Sequence, residues 1–300
     1  MLHRDRVYML AADHRWQWEE WCDAHAIARA RIGDAKRLAF DAFMLARDVS
    51  PEIREHGALL VDAQYASSIV AEAVRAGVAV GTPAEKAGAF PLEWAAEPFE
   101  RALTGAFVKV LVRYRSDDDP SLHDQQIRKL LALQAWCRAA ARPLVVEVLV
   151  ARRGEPEDEF ESTGRPAMLD RFVRQAYDRD LVPEFWKIEG TLSAHGARVI
   201  DDAIGARAGG RQIILGKAAD LATIDKWFAV AARMATAAGF AIGRSVFWEP
   251  TVAYLSGTAT SAAARDRIAD NYLRLVGAWR THASAPPTRS SNEIGRGPTG

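Results

Sequence analysis

Eight short apolar runs recur along the 300-residue chain, nearly all separated by stretches whose apolar positions repeat with a helical period. The runs are VYMLAAD (7–13), ALLVD (58–62), GVAVG (77–81), AFVKVLVRY (106–114), PLVVEVLV (143–150), FWKIE (185–189), QIILG (212–216) and GFAIG (239–243). Most are rich in Val, Ile, Leu and Ala, as parallel strands covered by helices require. Eight strand-then-helix units predict an α/β protein, a single (β/α)8 TIM barrel over residues 1–283. A doubly wound open sheet is the structural rival, because a linear pattern does not by itself close a barrel. The segment 284–300, SAPPTRSSNEIGRGPTG, is rich in Pro, Gly and Ser and reads as a disordered tail.

Within the run at 185–189, side chains alternate between the two faces of a strand. Trp186 and Ile188 form an apolar face suited to packing on helices, so Phe185, Lys187 and Glu189 point the other way, into the barrel. Lys109 and Glu147 likewise lie within strands. Charges that deep are expensive unless paired. One reading is a buried ion-pair network that holds the barrel together. The other is a Schiff-base site. A nucleophilic lysine must be neutral near pH 7, although free lysine titrates at about 10.4; burial and a second cation both depress that value. Lys109 lies two strands from Lys187, and alternate strands of a barrel contribute to one layer. Glu147, on the strand between them, is placed to shuttle the protons of carbinolamine formation and dehydration. Asp13 is placed to orient a substrate hydroxyl or stabilise the iminium.

Composition sharpens this picture at one point. Lysine occurs only at 36, 86, 109, 129, 187, 217 and 226, and arginine supplies nearly all the remaining positive charge. Arginine stays protonated, whereas lysine can lose its proton and attack a carbonyl. Lys36, Lys129 and Lys226 read as ordinary solvated helix lysines. Formal net charge is zero, so neither nucleic acid nor an anionic membrane is indicated as a partner. No apolar run reaches the roughly 20 residues of a membrane helix, and the N-terminus lacks a cleavable signal pattern. Cys22 and Cys137 provide neither a disulfide framework nor a multi-cysteine metal site. A cytoplasmic protein with no cofactor is expected.

In a barrel the active site is built where the strands end. Those ends carry Asp13-His14-Arg15, Asp62, Glu85-Lys86 in the loop after the third strand, Arg113, Gly216-Lys217 and Gly243-Arg244. Gly216-Lys217 and Gly243-Arg244 follow strands seven and eight, where barrels often bind phosphate through backbone N–H groups. Their alternative reading is turn glycines beside solvated cations. His14 and Asp62 are assigned to the substrate-binding rim, with Arg15 and Arg113 as spare arginines suited to a carboxylate. No metal site is expected, because no ligand-spaced cluster accompanies His14 or His195. Trp16, Trp18 and Trp21 predict an apolar cover over the barrel mouth or a subunit contact.

The segments LAADHRWQWEEW, FVKVLVRYRSDDD, VPEFWKIEG and GFAIGRSVFWEP, in this order, resemble the aldolase-like domain (DUF2090) fused to the C-terminus of bacterial 5-dehydro-2-deoxygluconokinases. That domain is similar in turn to tagatose-1,6-bisphosphate aldolases and sulfo-sugar phosphate aldolases, which are class I enzymes. The resemblance spans about Tyr8 to Trp248. It implies Lys187 as the Schiff-base lysine, Lys109 as its companion, Glu147 as the proton-transfer carboxylate, Asp13 near the iminium, and Gly243 with Arg244 at the substrate phosphate. The favoured reaction is reversible cleavage of 5-dehydro-2-deoxygluconate 6-phosphate to dihydroxyacetone phosphate and malonate semialdehyde. His14 replaces a glutamine of the tagatose enzymes, and ILGKAAD departs from their serine-containing turn, so sulfofructose- and tagatose-type phosphates stay open. With strand one beginning at about residue 7, no kinase half is expected in this sequence. Expected partners are a small sugar phosphate, further copies of the chain in a homo-oligomer, and a sugar kinase. A non-catalytic barrel that binds a sugar phosphate or a kinase is the rival of another class.

Overall fold

The computed structural model describes residues 2–284. Eight parallel strands form a closed barrel in sequence order: β1 Val7–Ala12, β2 Gly57–Val61, β3 Ala79–Pro83, β4 Phe107–Arg113, β5 Leu144–Leu149, β6 Phe185–Glu189, β7 Gln212–Leu215 and β8 Ala237–Ile242. Closure comes from β1 pairing with β8, from Val7 opposite Gly239 to Leu10 opposite Ile242. An open sheet is thereby excluded. The expected tail lies, apart from Ser284, outside the described residues. Among those residues, no helix is long and apolar enough to cross a membrane.

The alternation of faces produces two apolar layers. Val7, Met9, Phe107, Val145, Phe185 and Ile213 fill the barrel interior. Tyr8, Leu10, Val108, Val146, Trp186 and Ile188 point outward and pack under the helices. Helices Ile32–Val49, Ala63–Arg75, Pro120–Ala139, Arg165–Asp178, Ala194–Gly205, Leu221–Ala231 and Ser261–Ala283 cover the outside. The β3–β4 connection is the exception, carrying only the short helix Phe99–Ala102. Pro91 and Pro98 lack backbone N–H groups and Gly88 adopts a positive φ, so no long helix propagates there. That connection is instead a long loop folded over one side of the barrel mouth, with Glu85 bridged to Trp94.

Interior layers follow from stepping two residues along each strand. Phe107, Val145 and Phe185 form an apolar floor. The next inward positions are Lys109, Glu147 and Lys187, with Asp13 just past the end of β1. The charged layer therefore rests directly on the apolar floor and faces the carboxyl ends of the strands.

Candidate active site

Glu147 and Lys187 are lateral partners on β5 and β6, and Lys187 Nζ lies 3.0 Å from Glu147 Oε2. The same oxygen is 2.8 Å from Lys109 Nζ, which also lies 3.0 Å from Asp13 Oδ2 and 3.0 Å from Glu85 Oε1. Lys109, Glu147 and Lys187 are 3%, 6% and 5% exposed, so these ion pairs are barely screened by solvent. Above them opens a cavity of about 310 Å³ lined by Asp13, His14, Arg15, Glu85, Lys109, Arg113, Glu147, Lys187, Gly216, Lys217, Gly243 and Arg244, among others.

The pairing sets the protonation states. Burial alone would raise the carboxyl of Asp13, but the ammonium groups of Lys109 and Lys187 outweigh it and hold it well below the ordinary carboxylate range. Glu147 is lowered by the same two cations against the same burial. For Lys109, burial favours loss of the proton; the carboxylates of Asp13, Glu147 and Glu85 prevail and raise it well above the ordinary lysine value. Lys109 is thus a permanent cation. Because three carboxylates surround it, most of its field is spent locally. It keeps its charge, as expected of the second cation beside Lys187, and is also the shared counter-ion of Asp13, Glu85 and Glu147.

Eleven of the twelve expected site residues border this cavity, and Asp62 does not. Its carboxylate faces outward from the barrel, 2.8 Å from Lys36 Nζ, and accepts the Tyr65 N–H at the start of helix Ala63–Arg75. Lys36 is consequently not a solvated helix lysine, being 1% exposed. Lys129 is half-buried, with Nζ donating to the Leu92 carbonyl oxygen at 2.6 Å, whereas Lys226 is exposed. Arg15 is not spare either. Its guanidinium donates to the Glu85 backbone oxygen at 3.1 Å and to Glu85 Oε1 at 3.2 Å. Glu85 itself, left in the loop by the sequence reading, joins Arg15, Lys109 and the Leu111 N–H. It keeps the inward parity of Gly81 and Pro83, a signal obscured because the third apolar run stops at residue 81.

The rim divides unevenly. Lys217 sits at the mouth but pairs with Glu189 Oε2 at 2.8 Å, and Arg165 holds the same carboxylate at 2.7 Å. Lys86 is paired with Glu93. Arg244, the first residue of helix Arg244–Leu255, is half-buried beside the cavity, and its Nε is buried without a partner. Burial lowers its affinity for a proton from the ordinary arginine value. Arg113 is exposed at the end of β4, on the far side of the barrel from β8. His14 Nδ1 is buried without a partner, and burial pushes the imidazole down to about 3, so the ring is neutral at pH 7. Gly243 permits close packing: a Cβ there would lie 1.9 Å from the Ala11 carbonyl oxygen.

The tryptophan segment separates into different environments. Trp18 is buried and stacks on Trp248 with ring centroids 4.0 Å apart, and Trp21 meets Trp18 edge-on. Trp16, 40% exposed, borders the cavity mouth. His195 is exposed on the outer helix Ala194–Gly205. Among the described residues, the three-residue group with metal-ligand spacing is His3, Glu55 and His56. It lies beside the start of β2, at the end of the barrel opposite the cavity.

Residues 2–283 match the family profile described as "Uncharacterized protein conserved in bacteria (DUF2090)". No curated protein matches the chain in sequence. Among solved structures, the barrel is similar to fructose-bisphosphate aldolase from Plasmodium falciparum, determined in a ternary complex with TRAP and a small-molecule inhibitor. The TM-score is 0.68 at 9% identity, over 94% of this chain and 93% of that one. At that identity the likeness is one of fold.

Proposed function

The chain belongs to the DUF2090 family, and from that premise we propose that it is a class I aldolase that reversibly cleaves a phosphorylated ketose. One observation carries the reading: a buried lysine amine, Lys187 Nζ, stands 3.0 Å from a carboxylate oxygen of Glu147 beneath a cavity open at the carboxyl ends of the strands. Buried lysine next to a proton acceptor is the arrangement that Schiff-base chemistry uses. The similar fold of an aldolase supports it by analogy.

In the proposed cycle, the Lys187 ammonium passes a proton to Glu147, 3.0 Å away, and the amine so formed attacks the substrate ketone. The carbinolamine oxygen receives one proton from the nitrogen and a second from Glu147, leaves as water, and the remaining protonated imine is an electron sink. A carboxylate, for which Asp13 is the candidate, takes the proton of the hydroxyl on the β carbon. The bond between the α and β carbons then breaks; its electron pair enters the iminium to give an enamine, and the β carbon departs as an aldehyde. Protonation of the enamine at the α carbon and addition of water release the second product. Lys109 holds Asp13 and Glu147 in place and favours their ionised forms between proton transfers. Arg244, with no carboxylate ion pair among the described residues, is the candidate for the substrate phosphate, and Arg113 for an anion at the other end. A ketose bearing phosphate at one end and carboxylate at the other, as 5-dehydro-2-deoxygluconate 6-phosphate does, suits both. Sulfonate- or phosphate-ended ketoses suit the same pair of arginines.

The deciding experiment is borohydride reduction in the presence of dihydroxyacetone phosphate. The reduced adduct is expected on the peptide containing Lys187. A label on Lys109 or Lys217 would reassign the nucleophile, and no label from any ketose phosphate tested would remove the Schiff-base mechanism.

A further inference from the structure

Lys36 projects from helix Ile32–Val49 toward the outside of β1, and three oxygens lie close to its ammonium. These are Asp62 Oδ2 at 2.8 Å, the Ala12 carbonyl oxygen at 2.6 Å and the His14 carbonyl oxygen. Two of these contacts are hydrogen bonds to backbone carbonyls and the third is an ion pair. Lys36 and Asp62 are 1% and 0% exposed, although neither borders the cavity. Burying two charges carries a desolvation cost that well-packed apolar residues of similar volume avoid, so such a pair is weak evidence of stabilisation. Its geometry is more informative than its energy.

The two carbonyls that Lys36 holds belong to the residues on either side of Asp13. On the other flank, β8 presses against the same segment: a Cβ on Gly243 would stand 1.9 Å from the Ala11 oxygen and 3.0 Å from His14 Cε1. Asp62 in turn is fixed by the Tyr65 N–H. The end of β1 is therefore held from both sides at the point where Asp13 reaches Lys109 and His14 enters the cavity.

We propose that Lys36 and Asp62 are positioning residues, a buried pair that clamps the backbone on both sides of Asp13 and so sets the placement of Asp13 and His14 in the active site. The catalytic part of this inference rests on the aldolase reading; the clamp itself does not. Lys36 touches no reacting atom. Without it, the peptide groups at 12 and 14 lose their shared donor, and the Asp13 carboxylate loses its fixed distance to Lys109. Misplacement on the ångström scale costs roughly a hundredfold in rate.

The test uses the full chain carrying Lys36→Met with Asp62→Asn, which removes both charges together while leaving an amide able to cap helix Ala63–Arg75. Hydrogen exchange followed by mass spectrometry reads the clamp directly. The peptide spanning 10–15 should exchange at least about tenfold faster, with β6 unchanged. Unchanged exchange at 10–15, or equal acceleration everywhere, would overturn the clamp. Steady-state kinetics read its consequence: kcat should fall about ten- to hundredfold. Asp13→Asn added to that background should then cost much less than Asp13→Asn costs alone, because the two changes act through the same carboxylate. Fully multiplicative losses would overturn the positioning role. A wild-type protein that turns over no ketose phosphate would refute the aldolase reading, while the exchange experiment would still decide the clamp.

Discussion

Glu147 and Lys187 face each other across β5 and β6 in register, with Nζ 3.0 Å from Oε2, and the same oxygen receives Lys109 at 2.8 Å. One carboxylate oxygen thus stands between two buried lysines. Glu147→Gln keeps the shape of the side chain and removes its capacity to accept a proton. Imine formation, followed by rapid quenching into borohydride, should slow by about 10²- to 10⁴-fold. An unslowed rate would move proton transfer to another group.

Replacing Lys109 with Met strands Asp13, Glu85 and Glu147 without their common counter-ion. Breaking a buried pair from one side costs about 3–5 kcal/mol, here measured by urea unfolding at pH 7. The pH dependence should also change sign. In the wild type, Asp13 and Glu147 titrate below their unfolded values, so their contribution is complete above the ordinary carboxylate range and is lost as pH falls through their folded values. In the variant, Lys187 alone opposes burial and the mutual repulsion of the two carboxylates, which are expected to raise them above the unfolded values. Lowering pH from 7 to 5 should then recover part of the lost stability. A variant that loses further stability over that interval would contradict this account.

His14 is lowered from 6.5 to about 3, so between those values the unfolded chain binds a proton that the folded protein refuses. Its contribution is complete above about pH 6.5 and declines as pH falls toward 3. Between pH 7 and pH 5 the wild type should lose up to about 2 kcal/mol from this residue alone. His14→Gln should lose that much less over the same interval in matched urea titrations. Parallel losses in the two proteins would show that His14 titrates normally.

Arg244 has a buried Nε without a partner, next to a glycine at the end of β8. If its guanidinium binds the substrate phosphate, Arg244→Ala should weaken a phosphorylated ketose by about 1.5–3 kcal/mol, or roughly ten- to hundredfold. The unphosphorylated analogue should be little affected. Equal losses for both would indicate damage to the barrel instead of a lost phosphate contact.

Much of the site was legible because strand periodicity is local. Phe185 and Lys187 against Trp186 and Ile188 show which side chains face inward without reference to any other strand, whereas Glu189, at the strand's end, instead meets Arg165 of an outer helix. The same rule placed Lys109, Glu147 and Asp13 in one cavity. It failed at Glu85, where Pro83 and the following loop conceal a continued inward parity, and at Lys36, whose helix position carries no sign of the carbonyls beneath it.

The sequence alone determined the strand–helix order, the two faces of most strands, and the inward placement of Lys109 and Lys187. These depend on neighbours within a few residues, and on the cost of aiming an apolar side chain at water or a charge at a dry core. Tertiary structure decided the rest. Closure required Val7 to meet Gly239. Only then did Lys109 acquire Asp13, Glu85 and Glu147 from three other strands or their loops. Arg15 was taken by Glu85, and Asp62 by Lys36. Ion pairing depends on distances of a few ångströms between residues tens of positions apart, and no local pattern encodes those distances.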